Sequence, residues 1–397
     1  MTRDLIEAVA TGFRSAFGRE PAGVWSAPGR VSYGGDHTDD QDGVSLGFAI
    51  GQRTAVAVAP REDGRIVIAT ELDAEGADIE LAELGPDCGS DWRAYPLGMI
   101  WAMLEHGHEH GVPGDGDGPY LFTATGLEIF LGSELPIGGG LASSASVCAA
   151  IGLAVDELWG LGLDRMQIAL LGREAENRAA QVPSGEADHV TVLFAEDGRD
   201  VFYDARGQDV AIIAMQEAEG LVGLIVDTGQ AHRNWAEHFI ERHEATARVA
   251  AALGVQKLRE LRPAELDERR GELDETDYRR ARHVVSEIQR TLDVTRLLRT
   301  RGAATIGPVL QASQDSLRED FEVSTPRIDF TVELALHCGA IAARVSGTGF
   351  GGSVFVILPR EAAQGFVDRL REAYREQGWE EPGITRTRSH EGARRER

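Results

Sequence analysis

The sequence predicts an α+β fold in two lobes. Strand-like patterns dominate the first part of the chain, helical patterns dominate from about residue 234, and each part carries its own glycine cluster. A chain of 397 residues is long enough for two domains. The lobes are expected at 1–205 and 206–397, with the boundary near Asp197 to Gly207.

Leu5 to Phe17 fits an amphipathic helix. Gly29 to Gly51 is dense in Gly and Asp and reads mainly as loop. Arg53 to Ala59 and Arg65 to Ala69 read as hairpin strands split by Pro60 to Gly64. Trp92 to His106 is apolar at helical spacing, and Gly111 to Gly118 is a loop. Leu127 to Leu131 is an apolar strand, Ala142 to Leu158 a helix, and Met166 to Ala180 a second helix rich in Arg and Glu. Val190 to Phe194, Val210 to Met215 and Leu221 to Asp227 are strand-like. Asn234 to about Thr325 is mostly helical and charged, and Ile328 to His337 is a further helix. Ala340 to Val345 and Ser353 to Leu358 are strands around the last glycine cluster. Glu361 to Gln377 is a closing helix, and the charged tail from Arg386 is expected to fray.

A formal charge of −25 argues against broad nucleic-acid binding and against anionic membrane surfaces. The sequence has no apolar run of about 18 residues, so no membrane span is read. The N-terminal segment carries Asp4 and Glu7 in a helical pattern rather than a signal-peptide core, which points to the cytoplasm. Cys88, Cys148 and Cys338 are scattered and read as reduced thiols. His106, His108 and His110 alternate near a helix end and read as a solvated terminus rather than a metal site.

The chemistry centres on Leu135 to Ser146, Leu-Pro-Ile-Gly-Gly-Gly-Leu-Ala-Ser-Ser-Ala-Ser, between a strand and a helix. Glycine lets backbone approach a ligand closely. A helix start behind it offers unpaired N–H groups and the positive end of the helix dipole, which together suit an anion, most often phosphate. Ser143, Ser144 and Ser146 add hydroxyls that can cap the helix or reach a metal ion. Lys257 is the only lysine, and no Gly-Lys-Ser/Thr triplet exists, so a nucleotide would be held without a P-loop lysine.

Two further stretches complete a pattern. Ala27 to Gly43 reads Ala-Pro-Gly-Arg-Val-Ser-Tyr-Gly-Gly-Asp-His-Thr-Asp-Asp-Gln-Asp-Gly and resembles the N-terminal signature of galactokinases, within the wider GHMP kinase family. Leu135 to Ser146 resembles that family's phosphate loop, and Arg344 to Ser353 its C-terminal glycine motif, in the same order and spacing. Val182 to Gly198, Arg282 to Val285 and Ser316 to Pro326 resemble intervening family segments.

The resemblance implies a two-lobed GHMP kinase fold with the active site between the lobes, the sugar signature and phosphate loop in the first and the last glycine motif in the second. It implies ATP and Mg²⁺ as cofactors and an ATP-dependent sugar 1-kinase as the activity. ATP would lie against Gly138, Gly139, Gly140, Leu141, Ser143, Ser144, Ala145 and Ser146. Ser144 and Glu176 would hold Mg²⁺, which takes few protein oxygens. Asp188 and Arg30 would be the catalytic pair, with Arg30 steadying the developing alkoxide. An aspartate of ordinary pKa, near about 4, is otherwise a weak base toward a hydroxyl. Arg30, Asp36, His37, Asp39, Gly185, Asp188 and Gly349 would bind the sugar. The expected partners are the sugar and ATP only, and the expected state is a monomer.

Departures gather on the sugar side. Asp36 stands where galactokinases usually have Glu, Asp40 where they have Tyr, and Phe239 where a sugar-contacting Tyr aligns. Ser184, Glu186, Ala187 and His189 also depart from the family pattern. Galactose is the expected substrate. The alternatives are a different sugar or a galactose and ATP sensor without turnover. Asp40 and Glu186, if they faced the pocket, would suit an amino sugar.

Overall fold

A computed structural model describes residues 2–89, 91–112, 122–214, 220–230 and 235–397. In chain order the elements are α1 (Thr2–Phe17), β1 (Gly23–Gly34), β2 (Val44–Arg61), β3 (Arg65–Thr70), β4 (Ala77–Glu80), α2 (Ala94–His110) and β5 (Gly126–Ser133). Then come α3 (Ser143–Trp159), α4 (Arg165–Arg178), α5 (Ala187–Phe194), β6 (Arg199–Asp204), β7 (Asp209–Ala214), β8 (Leu221–Asp227), α6 (Trp235–Leu253), α7 (Pro263–Glu268) and α8 (Glu275–Arg301). The last are α9 (Gly307–Glu319), α10 (Pro326–His337), β9 (Ala342–Val345), β10 (Ser353–Pro359), α11 (Ala363–Glu376), β11 (Gly383–Thr387) and β12 (Arg394–Arg395).

Two sheets organise these elements. The first runs β12-β1-β2-β5-β3-β4, with the β6–β7 hairpin attached to the first residues of β2. The second runs β11-β8-β10-β9 and is antiparallel throughout. Helices α2 to α5 cover the first sheet over one core, and helices α6 and α8 to α11 cover the second. A third core joins the sheets: Val31, Leu46, Phe48 and Ile50 of the first pack with Ile225, Phe355 and Ile357 of the second and with Val294 and Leu298 of α8. Apolar burial on this scale fixes the two sheets relative to each other, so side chains from both can share one site.

Several expectations are corrected. Residues 29–51 are mostly strand, and only 35–43 connect β1 to β2. The cause is burial on both sides: β1 is buried at nearly every position, so it lacks the alternation that marks a half-buried strand. The strands at 53–59 and 65–69 exist but do not form a hairpin. Strand β5 lies between them, antiparallel to β2 and parallel to β3. Val190 to Phe194 lies in helix α5, not a strand. The β6–β7 hairpin straddles the expected boundary at 205/206, and both of its strands belong to the first sheet. The tail is not frayed, because β12 pairs with β1 and Ala393 is buried. The loop expected at 111–118 lies from residue 113 onward outside the described residues.

His106, His108 and His110 close α2, where the rings of His106 and His110 stack. All three cysteines are free thiols. Among the described residues no helix is long and apolar enough to cross a membrane.

Candidate active site

The two glycine motifs meet. The 346–352 turn between β9 and β10 lies on the loop between β5 and α3, and Ser353 Oγ donates to the Gly139 carbonyl at 2.7 Å. Gly347 has φ +76°, and a Cβ there would lie 2.6 Å from the Gly140 oxygen. Only glycine allows this approach. Helix α3 starts directly behind the loop, with Ala142 left-handed at its N-cap (φ 56°).

Two spaces open on either side of this junction. The first is a polar cavity lined by Arg30, Ser32, Asp36, His37, Asp39, Ser45, Glu176, Ser184, Gly185, Asp188, Thr191, Phe239, His243 and Thr348, among others. The second is a cleft with an apolar wall of Leu72, Trp92, Tyr95, Leu131, Ile137 and Val147, floored by Gly138, Gly140, Ser143 and Ser144. Arg30, Asp188 and Thr348 line both.

Arg30 and Asp188 form a bidentate pair, Nε to Oδ1 at 2.6 Å and Nη2 to Oδ2 at 2.5 Å. Such a pair fixes both planes. Arg30 Nη1 also donates to the Gly140 carbonyl at 2.8 Å, which ties the pair to the glycine loop. Burial works against the Arg30 charge, but Asp188, with Asp36 and Glu176 further away, outweighs it and raises the guanidinium pKa. Asp188 sits in the first turn of α5. Its side chain keeps 40% exposure while that of Arg30 keeps 5%, so the carboxylate is the reachable partner.

Glu176 of α4 is buried. Its Oε2 accepts from Ser184 Oγ at 2.5 Å, and His189 Nε2 lies 3.5 Å from Oε1. Burial would raise its pKa, but His189 and the hydroxyls of Ser184 and Ser144 hold it below the usual glutamate value. Oε1 makes no hydrogen bond within ordinary distance among the described residues, and its nearest titratable neighbour is His189. Among the described residues no group of three or more His, Cys, Asp or Glu side chains is placed to hold a metal. That donor set fits Mg²⁺, which takes one or two protein oxygens and the rest from phosphate and water.

The sugar-side residues converge. Asp36 is gripped by the Ser32 hydroxyl (2.7 Å to Oδ1) and by the fully buried Arg344. Burial would raise its pKa, and Arg344 with Arg30 lowers it below the ordinary value. His37 has a left-handed backbone (φ 64°) and stacks near Phe321 and Phe239. Burial drives its pKa down to about 3, so its imidazole is neutral. Asp39 Oδ2 accepts the Ala187 N–H at 3.0 Å. A Cβ on Gly185 would lie 2.0 Å from that oxygen, so Gly185 makes room for Asp39. Burial, then the charges of Asp40 and Glu186, push Asp39 up to about 7.

Some expected residues play supporting roles. Gly349 does not line the cavity; its φ of +79° and contact with Val323 make it a turn residue. Leu141 and Ala145 are core residues, and Ser146 is turned inward to donate to the Ala27 carbonyl at 2.7 Å. Gly139 contributes its carbonyl to Ser353 rather than lining the cleft. Neither Asp40 nor Glu186 lines the cavity. Asp40 pairs with His243, while Glu186 pairs with Arg173 at 2.9 Å and accepts from Tyr203 at 2.6 Å. The case for an amino sugar, which needed these carboxylates in the pocket, therefore falls.

Sequence reasoning missed Thr348, Ser32, His243 and the wall of Trp92 and Tyr95. His243 was within reach, since it follows Phe239 by four residues on one helix and so shares its face.

Known proteins agree with this architecture. Residues 95–196 match the GHMP kinases N terminal domain, 295–376 the GHMP kinases C terminal domain, and 11–60 the galactokinase galactose-binding signature. A galactokinase of Streptomyces coelicolor is 36% identical over 389 residues, covering 96% of each chain. One of Mycobacterium bovis is 36% identical over 370 residues, covering 93% of this chain and 98% of that one. The crystal structure of Lactococcus lactis galactokinase complexed with galactose superposes with a TM-score of 0.87 at 26% identity, over 98% of this chain and 99% of that one. A Methanococcus jannaschii mevalonate kinase shares the fold at a TM-score of 0.63 and 18% identity. With three motifs meeting around one paired arginine and aspartate, and with relatives matching end to end, this chain belongs to the galactokinase family of GHMP kinases.

Proposed function

We propose that this chain transfers the γ-phosphoryl group of ATP to the C1 hydroxyl of D-galactose, giving galactose 1-phosphate and ADP. The observation that supports it most is the shared wall, where Arg30 and Asp188 border the polar cavity and the apolar cleft at once. A group held between the two spaces meets the only contacts phosphoryl transfer requires: an oriented nucleophile and positive charge at the reacting oxygens.

Galactose occupies the polar cavity with its C1 hydroxyl at Asp188. The adenine lies against Trp92 and Tyr95, and the phosphates cross Gly138 to Gly140 to the N-terminus of α3. The C1 oxygen forms the bond to the γ-phosphorus as the bond to the β–γ bridging oxygen breaks, and ADP leaves with that electron pair. The hydroxyl proton passes to Asp188, whose two oxygens each keep a further lone pair although Arg30 holds both, and whose side chain is 40% exposed. Arg30 stabilises the negative charge that grows on the C1 oxygen. Ser144 and Glu176 would hold Mg²⁺, which would supply charge neutralisation at the phosphates. The enzyme is taken to work as a monomer in the cytoplasm.

The test is ADP release from Mg-ATP against galactose, glucose, arabinose, fucose, galactosamine and galacturonate. Selective turnover of galactose is expected. Turnover of a different sugar, or none with ATP still bound, overturns the reading.

A further inference from the structure

His243 lines the polar cavity from α6. Its ring packs on Phe239, centroids 4.3 Å apart, and both side chains line the cavity but not the cleft. Nδ1 stands 2.9 Å from Asp40 Oδ2. An ionised carboxylate only accepts, so Nδ1 carries a proton and the other nitrogen faces away from Asp40. That nitrogen, Nε2, is buried and has no hydrogen-bond partner among the described residues. Leaving a buried polar atom unpaired is costly, and such atoms are uncommon unless something pairs with them.

Asp40 is itself anchored. Gln41 Nε2 donates to its Oδ2 at 3.1 Å, and Lys257 Nζ donates to its backbone carbonyl at 2.5 Å. Gln41 Oε1 in turn accepts the Leu258 N–H at 3.2 Å. The 39–41 segment, the 257–258 segment and α6 are thus tied together behind one imidazole. A carboxylate that holds one histidine nitrogen fixes the direction of the other.

We propose that His243, oriented by Asp40, is a specificity-determining residue that hydrogen-bonds a ring hydroxyl of the sugar remote from C1. The inference rests on the reading of the polar cavity as the sugar site. A site built to pair a hydroxyl rejects the analogue lacking it, because the protein atom is then stranded. Phe239 supplies an apolar face beside the His243 ring, and His37, whose ring lies 5.6 Å from Phe239 and whose Nε2 is likewise unpartnered among the described residues, lines the same cavity.

The experiment compares the chain with its His243→Phe variant, which keeps an aromatic ring against Phe239. Steady-state kinetics are run on galactose and on its 2-, 3-, 4- and 6-deoxy analogues. The variant is expected to raise the KM for galactose about ten-fold or more, with a much smaller change in the KM for ATP. One deoxy analogue, disfavoured by the parent, should be used by parent and variant alike, which identifies the hydroxyl. A uniform loss on every sugar, or an unchanged KM for galactose, overturns the role. Should the parent turn over no galactose, the functional reading fails on its own. The His243 comparison is then made by calorimetry with the sugar panel, and equal binding of every sugar by parent and variant overturns the inference.

Discussion

The cleft and the polar cavity share a wall but are built in opposite ways. The cleft floor comes from one short segment, through Gly138, Gly140, Ala142, Ser143 and Ser144, whose chemistry is mostly backbone N–H and hydroxyl. The cavity draws on β1, the 35–43 connection, α4, the 184–188 segment, α6 and the 346–352 turn, and its chemistry is carried by buried charges. Binding phosphate takes a bend and a helix start, which one short segment supplies. Binding a polyol takes acceptors and donors fixed in several directions, which no short segment can supply. The cavity therefore depends on distant residues held in pairs, as with Asp40 and His243, while the loop's contribution is local.

That contrast can be broken at the wall. Asp188→Asn keeps the shape of the side chain but removes its basicity and its charge toward Arg30. It should lower kcat about 10²- to 10⁴-fold, with ATP binding by calorimetry largely retained. Normal turnover would remove Asp188 from the mechanism and leave the shared wall without a chemical role.

A smaller effect separates the two spaces. Gly185→Ala places a Cβ against the Asp39 carboxylate, which must then shift. The KM for galactose should rise about ten-fold, in keeping with displacement of one charged hydrogen-bonding group, while the KM for ATP stays near its parent value. Equal rises in both would mean that cavity and cleft are mechanically coupled.

The smallest effect reads the cavity's stored charge. Asp39 is pushed up to about 7, above its ordinary value near 3.8. The folded state therefore holds this proton more tightly than the unfolded state, and stability falls as pH rises from about 4 through about 7. Asp200, also raised to about 7, adds to the same slope. Asp39→Asn should flatten the fall in Tm across that window without abolishing it. An unchanged slope would show that Asp39 is not held protonated in the empty cavity.

How much could be read in advance follows the same division. Gly138 to Ser144 announced itself because its signal is local. The end of β1 and the start of β2, within residues 29–51, read as loop because sheet and helix contacts bury both of their sides and erase alternation. Val190 to Phe194 is a short, buried, β-branched run, which periodicity alone cannot assign, and its packing under the first sheet makes it helix. Asp40 and Glu186 were visible as extra carboxylates, but their partners, His243 and Tyr203, lie 203 and 17 residues downstream. Direction of a side chain is a tertiary property, and nothing in the local sequence encodes it.

Strand β12 carries a consequence for the order in which the molecule can fold. Its partner β1 is among the first segments translated, and more than 350 residues separate Trp25 from Arg395. The buried Arg53 of the first sheet donates to the carbonyls of Glu391 and Gly392 at 2.8 and 2.7 Å. During synthesis that guanidinium must wait, without these acceptors, until every strand of the second sheet has already emerged. The first sheet thus begins the chain yet closes last, and that closure must meet the entropy cost of bringing together segments far apart in sequence.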